Sequence, residues 1–229
     1  MVVKNFIRVG SRGSRLALTQ AKQYLERIKE RVPGFAWELV QIETSGDRFG
    51  QLTPSQVLEQ SGKGIFVKEI EEALLAGTID CAIHSLKDMP AEAPPGLSLC
   101  GYQKRGDPRD ALVTAEGQTL DELPDDAIIA SSSLRRQMQL LELAREKGKN
   151  WTLAPLRGNV ETRIRRVTEG KFHGVVLSAA GLHRLGLVEH IAQYMDPVVE
   201  MVPPYGQGTL VAEVRGDRPD VKNLLESAE

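Results

Sequence analysis

The chain is 229 residues long, 41% hydrophobic and 26% charged, which excludes a disordered polymer and suits one large domain or two small ones. Net charge is −2, from 29 basic and 31 acidic residues, so no general polyanion-binding face is required and no nucleic-acid partner is expected. The basic set leans to arginine, 18 against 11 lysines, the better residue for two-pronged contact with carboxylates or phosphates.

In chain order, residues 6–9 predict a short apolar strand, broken by Gly10-Ser11-Arg12-Gly13-Ser14. Leu16, Ala17, Ala21, Leu25, Ile28 and Val32 recur near a 3.6-residue period and predict a helix that Pro33-Gly34 ends. Residues 37–42 read as a second strand, followed by the polar loop Thr44-Ser45-Gly46-Asp47-Arg48. Ser61-Gly62-Lys63-Gly64 opens a helix over about 65–76, with Gly77 as its cap. A strand over 80–84 stops at Ser85-Leu86-Lys87-Asp88-Met89-Pro90, and 97–101 reads as another. The run KRGDPR (104–109) has no apolar period and reads as a hinge. The pattern then restarts with strands at 111–113, 127–130, 151–154 and 175–177. Helices follow Ser133 (134 to about 146), the N-cap Asn159 (to 168) and Ser178.

Strands alternating with helices argue for an α/β fold with parallel sheets. An internal echo supports two similar lobes. IRVGSRGSRLAL resembles IIASSSLRRQMQL, and LLAGTIDCAIHS resembles RVTEGKFHGVVLS, in the same order on either side of the hinge. Ligands of such folds bind at the carboxyl ends of strands, here expected in a cleft between lobes.

The polar turns at those strand ends share one composition. Arg12 follows the first strand, Lys87 and Asp88 the strand ending at His84, and Ser133, Arg135 and Arg136 the strand ending at Ala130. Arg157 follows the strand ending near Ala154, and Arg163 lies in the helix after Asn159. Together with two helix N-termini, these groups predict a small ligand bearing several carboxylates or phosphates. Arg165 reads instead as part of a solvated helix face. Asp88 reads either as a general acid/base or stabiliser of a developing cation, or as a plain turn residue before Met-Pro. Gly62-Lys63-Gly64 does not fit a nucleotide-binding loop, because no Ser or Thr follows Lys63. No metal site is expected. Cys81 and His84, three apart on a strand, point to opposite faces, and His183 and His190 are isolated. Two cysteines, Cys81 and Cys100, are too few for a disulfide framework and read as core residues in a reducing compartment. The longest apolar-rich run, 174–182, falls well short of the roughly 18 residues a membrane span needs. MVVKNFIRVGSRGS lacks an apolar core before a cleavage site, so a cytoplasmic location without a membrane partner is expected.

These residues assemble into a family resemblance. The segments RVGSRGSRLALTQA, ETSGDRF, GKGIFVKEIEEALLAGTIDCAIHSLKDMP, GDPRDALV, SSSLRRQMQLL, LRGNVETRIRRV and AAGLHRLGL run in family order from residue 8 to about 187. They resemble those of porphobilinogen deaminases (hydroxymethylbilane synthases), and PPYGQGTLVAEVR extends the likeness more weakly to 215.

The resemblance implies two periplasmic-binding-protein-like lobes joined by a hinge. Lobe 1 would be 1–103 with 206–229, lobe 2 would be 109–200, and the hinge segments 104–108 and 201–205. It further implies a transferase that joins four porphobilinogen units into hydroxymethylbilane with release of ammonia. Asp88 would stabilise the cationic intermediate, with Lys87 and Arg12 as its catalytic companions. Ser85, Ser133, Arg135, Arg136, Arg157, Gly158, Arg163 and Gln207 would bind carboxylates of substrate, dipyrromethane cofactor and growing chain. Lys63 and Phe66 would belong to a loop over the cleft. The family's small third α+β domain and its cofactor-bearing cysteine are expected to be absent, since the sequence stops at Glu229 and neither cysteine stands at a matching position. Tyr205 also stands where the family usually has a small apolar residue. The alternative is a catalytically inactive two-lobe binder of linear pyrroles or other polycarboxylates. A monomer is expected, or weak self-association through the apolar cluster Val198, Val199, Met201, Val202, Leu210 and Val211.

Overall fold

A computed structural model describes residues 6–45 and 67–227. In chain order the first elements are β1 (Phe6–Ser11), α1 (Arg15–Arg31), β2 (Ala36–Gln41), α2 (Lys68–Leu75), β3 (Cys81–Ser85) and β4 (Leu97–Cys100). Next come β5 (Asp110–Thr114), β6 (Ile128–Ala130), α3 (Leu134–Glu146), β7 (Thr152–Ala154), α4 (Val160–Thr168), β8 (Gly174–Ser178), α5 (Ala179–Leu185) and β9 (Gln193–Tyr194). The chain finishes with β10 (Leu210–Arg215) and α6 (Pro219–Glu226). Lys63 and Phe66, with the expected start of the second helix, lie outside the described residues.

The chain divides into two compact units, Met1–Arg105 with Thr209–Glu229, and Gly106–Gly208. Residues 206–208 belong to the second unit because they are bonded to its start. The Gly106 N–H donates to the Gly208 carbonyl at 3.1 Å, and the Gln207 amide donates to the Pro108 carbonyl at 2.6 Å. Position 208 accepts only glycine: its φ is +94°, and a Cβ there would stand 2.7 Å from the Gly106 carbonyl oxygen.

Each unit is built on one five-stranded sheet. The orders are β2-β1-β3-β10-β4 and β7-β6-β8-β5-β9. In both, the first three strands run parallel, the fourth is antiparallel to the third, and the fifth is antiparallel to the fourth. The two halves of the sequence echo therefore occupy equivalent places: β1–α1 matches β6–α3, and α2–β3 matches α4–β8. The expected all-parallel sheets are corrected to mixed ones. The antiparallel fourth strand of each sheet, β10 or β5, is the first strand after the chain enters that unit, so it lacks the preceding βα repeat that sets direction.

Local chemistry explains the helices. The Ser14 hydroxyl accepts from the Ala17 N–H at 3.2 Å, and α1 buries Tyr24, Leu25 and Ile28 against β1 and β3. Asn159 Oδ1 accepts from the Thr162 N–H at 2.8 Å and starts α4. Gly186, left-handed at φ +69°, ends α5. Both faces of each sheet are covered, which is why β5 and β8 read as nearly continuous apolar runs. The apolar cluster at 198–211 splits in two. Met201, Leu210 and Val211 are buried, Leu210 and Val211 on β10, whereas Val198, Val199 and Val202 are exposed.

Candidate active site

Parallel neighbours in a sheet end on the same edge, so the turns after them gather there. In the first unit, Arg12 follows β1, Ser85 closes β3, and a short 3-10 turn, Leu86–Asp88, carries Lys87 and Asp88 onward. β10 starts at this edge, with Leu210 opposite Ser85, and the Thr209 carbonyl accepts from the Leu86 N–H at 3.0 Å. That bond anchors the turn. Arg12, Ser85 and Lys87 are half-buried, whereas Asp88 is exposed. No hydrogen bond reaches the Asp88 carboxylate among the described residues, so it remains available to a ligand's N–H groups. Four residues earlier, on β3, His84 pairs with the fully buried Glu213 of β10 at 3.1 Å, which locks β3 to β10 on the face opposite Cys81.

In the second unit, β7, β6 and β8 likewise end together, and β5 begins beside them with Asp110 opposite Ser178. Asp110 is fully buried. Its Oδ2 accepts from Arg135 Nη2 at 2.6 Å, and its Oδ1 accepts from Arg136 Nη2 at 2.7 Å, Arg136 Nε at 3.1 Å and Gln207 Nε2 at 3.0 Å. Burial alone would raise the Asp110 carboxyl, but the two guanidiniums outweigh it and hold the group below the ordinary carboxylate range. Ser133 caps α3, its hydroxyl accepting from the Arg136 N–H. Arg157 and Gly158 are exposed in the turn after β7. Gly158 sits at φ +112°, and its carbonyl accepts from Arg163 Nε at 2.8 Å. That bond is the sole one to the Arg163 guanidinium among the described residues, and no carboxylate neutralises it there. Burial, reinforced by the charge of Arg136, pushes Arg163 below the ordinary arginine range.

The expected residues thus lie at the edges where the parallel strands end, and several of them are bonded within the protein. Arg136 is buried, with bonds to Asp110 and to the Val176 carbonyl at 2.9 Å, so it serves more as an anchor than as an open hand. Arg135 spends Nη1 on the Val202 carbonyl and Nη2 on Asp110. Its Nε–H is left over. Gln207, expected to touch ligand, is fully buried and holds Pro108 and Asp110. Asp110 was missed. Its signal was an aspartate set directly before the apolar run ALV in GDPRDALV. Arg184 was missed too. It donates to the Gly208 carbonyl at 2.6 Å, and its place in AAGLHRLGL gave no sign of that.

Both cysteines are buried in the first sheet, and burial drives the Cys81 thiol far above its ordinary range. The core encloses both side chains, so neither is open to a thioether bond.

The fold and these edges define a class: α/β proteins built from two similar sheets, each presenting polar turns at the carboxyl ends of its parallel strands. Solved structures of that class align over nearly the whole chain. The methionine-binding protein MetQ covers 98% of this chain and 90% of its own, with TM-score 0.58 and 16% identity. A periplasmic substrate-binding protein of an ABC transporter from Coxiella burnetii covers 97% and 91%, with TM-score 0.56 and 15% identity. At such identities the likeness concerns the fold alone.

Sequence comparison gives the particular family. The model of the porphobilinogen deaminase dipyrromethane cofactor-binding domain matches residues 7–223. The chain is 44% identical over 216 residues to a porphobilinogen deaminase of Syntrophus aciditrophicus, covering 94% of this chain and 68% of that one. It is 46% identical over 222 residues to one of Geobacter sulfurreducens, covering 97% and 67%. The chain belongs to the porphobilinogen deaminase family, transferases of porphyrin and heme synthesis, and it spans about two thirds of the length of these curated relatives. Among the described residues, no helix is long and apolar enough to cross a membrane.

Proposed function

We propose that the chain carries the substrate- and cofactor-binding machinery of a hydroxymethylbilane synthase, which joins four porphobilinogen units head to tail with loss of ammonia at each step. The observation that carries this reading is Arg163: a half-buried guanidinium near Arg136 whose one hydrogen bond among the described residues goes to the Gly158 carbonyl, with no carboxylate on it there. A fold keeps such a cation where an anion binds. Asp110, Arg135, Arg136 and Arg163 sum to a charge of +2, which suits a ligand carrying several carboxylates. Dipyrromethane is such a ligand, and Ser133, Arg135, Arg157 and Arg163 are the residues proposed to hold it. When bound, it supplies the pyrrole carbon from which the chain grows.

The chemistry falls to the first unit. The bond between the aminomethyl carbon and nitrogen of porphobilinogen breaks, the pyrrole nitrogen lone pair fills the gap, and ammonia departs. Positive charge then spreads over the ring and its N–H. Asp88, exposed and without a hydrogen bond to its carboxylate among the described residues, accepts that N–H and stabilises the charge as it develops. The second unit's residues would hold the acceptor pyrrole whose carbon bonds to this methylene, and the proton displaced from that carbon would pass to solvent. Lys87, Arg12 and Ser85, beside Asp88, are proposed to take the substrate's acetate and propionate. We place the enzyme in the cytoplasm, acting as a monomer or weakly associating through its exposed valines.

The test is to incubate the chain with porphobilinogen, with and without preformed dipyrromethane primer, and to assay uroporphyrin after oxidation. Product is expected. Its absence under both conditions, with porphobilinogen still bound, would leave a binding protein for linear pyrroles. An intact-protein mass showing no pyrrole adduct is expected in either case, given the two buried thiols.

A further inference from the structure

We propose that Asp110 is a positioning residue for the ligand's carboxylates: it fixes the planes of Arg135 and Arg136 and turns the unspent edge of Arg135 toward the ligand. This rests on reading the arginine edge of the second unit as a polycarboxylate subsite.

The geometry separates the two arginines. A guanidinium carries five N–H donors in one rigid plane. Arg136 presents Nε and Nη2 side-on to Asp110 Oδ1, at 3.1 and 2.7 Å, while Nη1 donates to the Val176 carbonyl. That arrangement prevents rotation. Arg135 is gripped at one end only, with Nη2 on Asp110 Oδ2 at 2.6 Å and Nη1 on the Val202 carbonyl at 2.6 Å. Its side chain keeps 26% exposure, against 9% for Arg136. Its Nε–H therefore has a fixed direction and, among the described residues, no acceptor, as a binding donor should.

Charge points the same way. A buried ion pair that served stability alone could be replaced by apolar residues at little loss, and it would be neutral. This cluster is not neutral. Two guanidiniums share one carboxylate, and Arg136 also disfavours the charge on Arg163 nearby. Without Asp110 the two cations would repel each other and splay. With it, they stay close enough to meet carboxylates of one small ligand. Gln207 completes the device from behind, donating to Asp110 Oδ1 at 3.0 Å and to Pro108 at 2.6 Å, so the carboxylate itself cannot swing.

The test uses the full chain carrying Asp88→Ala, so that nothing turns over, and reads the Kd for dipyrromethane by calorimetry alongside Tm. Adding Asp110→Asn is expected to weaken binding about tenfold to a hundredfold. Asp110→Glu, which keeps the charge but shifts it by one methylene, is expected to recover part of that loss. Adding Asp80→Asn, a change of a buried acid in the other unit, is expected to lower Tm and leave Kd unchanged. If the Asp88→Ala parent binds and Asp110→Asn binds within twofold of it, or more tightly, the proposal is overturned. Tighter binding would mean that the acid merely competes with ligand carboxylates. If Asp110→Asn does not fold, Asp110→Glu decides: affinity equal to the parent's overturns the proposal, and a loss of threefold or more supports it. If the parent itself fails to bind, the subsite reading fails and the role of Asp110 falls with it.

Discussion

Each unit buries an aspartate between two arginines, and the two clusters do different work. In the first unit, Asp80 accepts from Arg8 Nε at 3.1 Å and Arg218 Nη1 at 3.0 Å, and Arg218 also holds Asp220 at 2.9 Å. Two acids and two bases cancel. The cluster lies where β3 begins, on the edge away from Asp88, and it fastens α6 to the sheet. In the second unit, Asp110 lies on the edge where the parallel strands end, and two guanidiniums exceed its single charge. A buried ion pair by itself therefore says nothing about function. Its edge and its charge excess decide whether it acts as a clamp or as part of a receptor.

The sharpest way to test this division is Asp88→Ala. Removing the group that faces developing charge is expected to lower kcat by about 10²- to 10³-fold or more while porphobilinogen still binds, read from uroporphyrin formation and calorimetry. Full activity would remove the first unit from the chemistry. Arg163→Met comes next. Binding is expected to weaken about tenfold or more, whereas Tm holds or rises, because a desolvated and unmatched cation has been removed. A fall in both would make Arg163 a clamp like Arg8.

The neutral cluster gives a pH prediction. Burial would raise the Asp80 carboxyl, but bonds from Arg8 and Arg218 outweigh it and hold the group at about 2. Because the folded value lies below the unfolded one, the stabilisation is fully present above about pH 4 and is lost as pH falls toward 2. A loss of about 2 kcal/mol is expected between pH 5 and pH 2. Urea midpoints of the parent and Asp80→Asn would converge over that range, and parallel curves would refute the clamp.

The smallest effect concerns Glu71 on α2. Burial, then the charge of Glu213 with Glu72 adding and His84 opposing, raises its carboxyl above the usual range. The folded state therefore resists its ionisation near neutral pH. Glu71→Gln is expected to raise Tm by about a degree, a few tenths of a kcal/mol after solvent screening. A drop in Tm would show that Glu71 makes a favourable contact instead.

Much of the site was legible early. Arg12, Lys87, Asp88, Ser133 and Arg157 follow strands whose apolar runs are plain in the sequence, and the βα repeat places such turns on one edge. The helices over 134–146 and 160–168 were readable to the residue, because Ser133 and Asn159 are strong caps and Gly148 and Gly170 are plain stops. β9 and α6 were not readable. β9 has two residues, and α6 starts behind Arg218-Pro219, where charge masks a short apolar stripe.

Periodicity, capping and motif order are local properties of the chain, so the periodic elements, the two echoing halves and the family could be read from residue order. The tertiary structure alone decided the direction of β5 and β10, the spending of Arg136 and Gln207 on Asp110, and the isolation of Arg163. Those are matters of which charges meet across 25 to 100 residues of chain, and local pattern carries no record of such meetings.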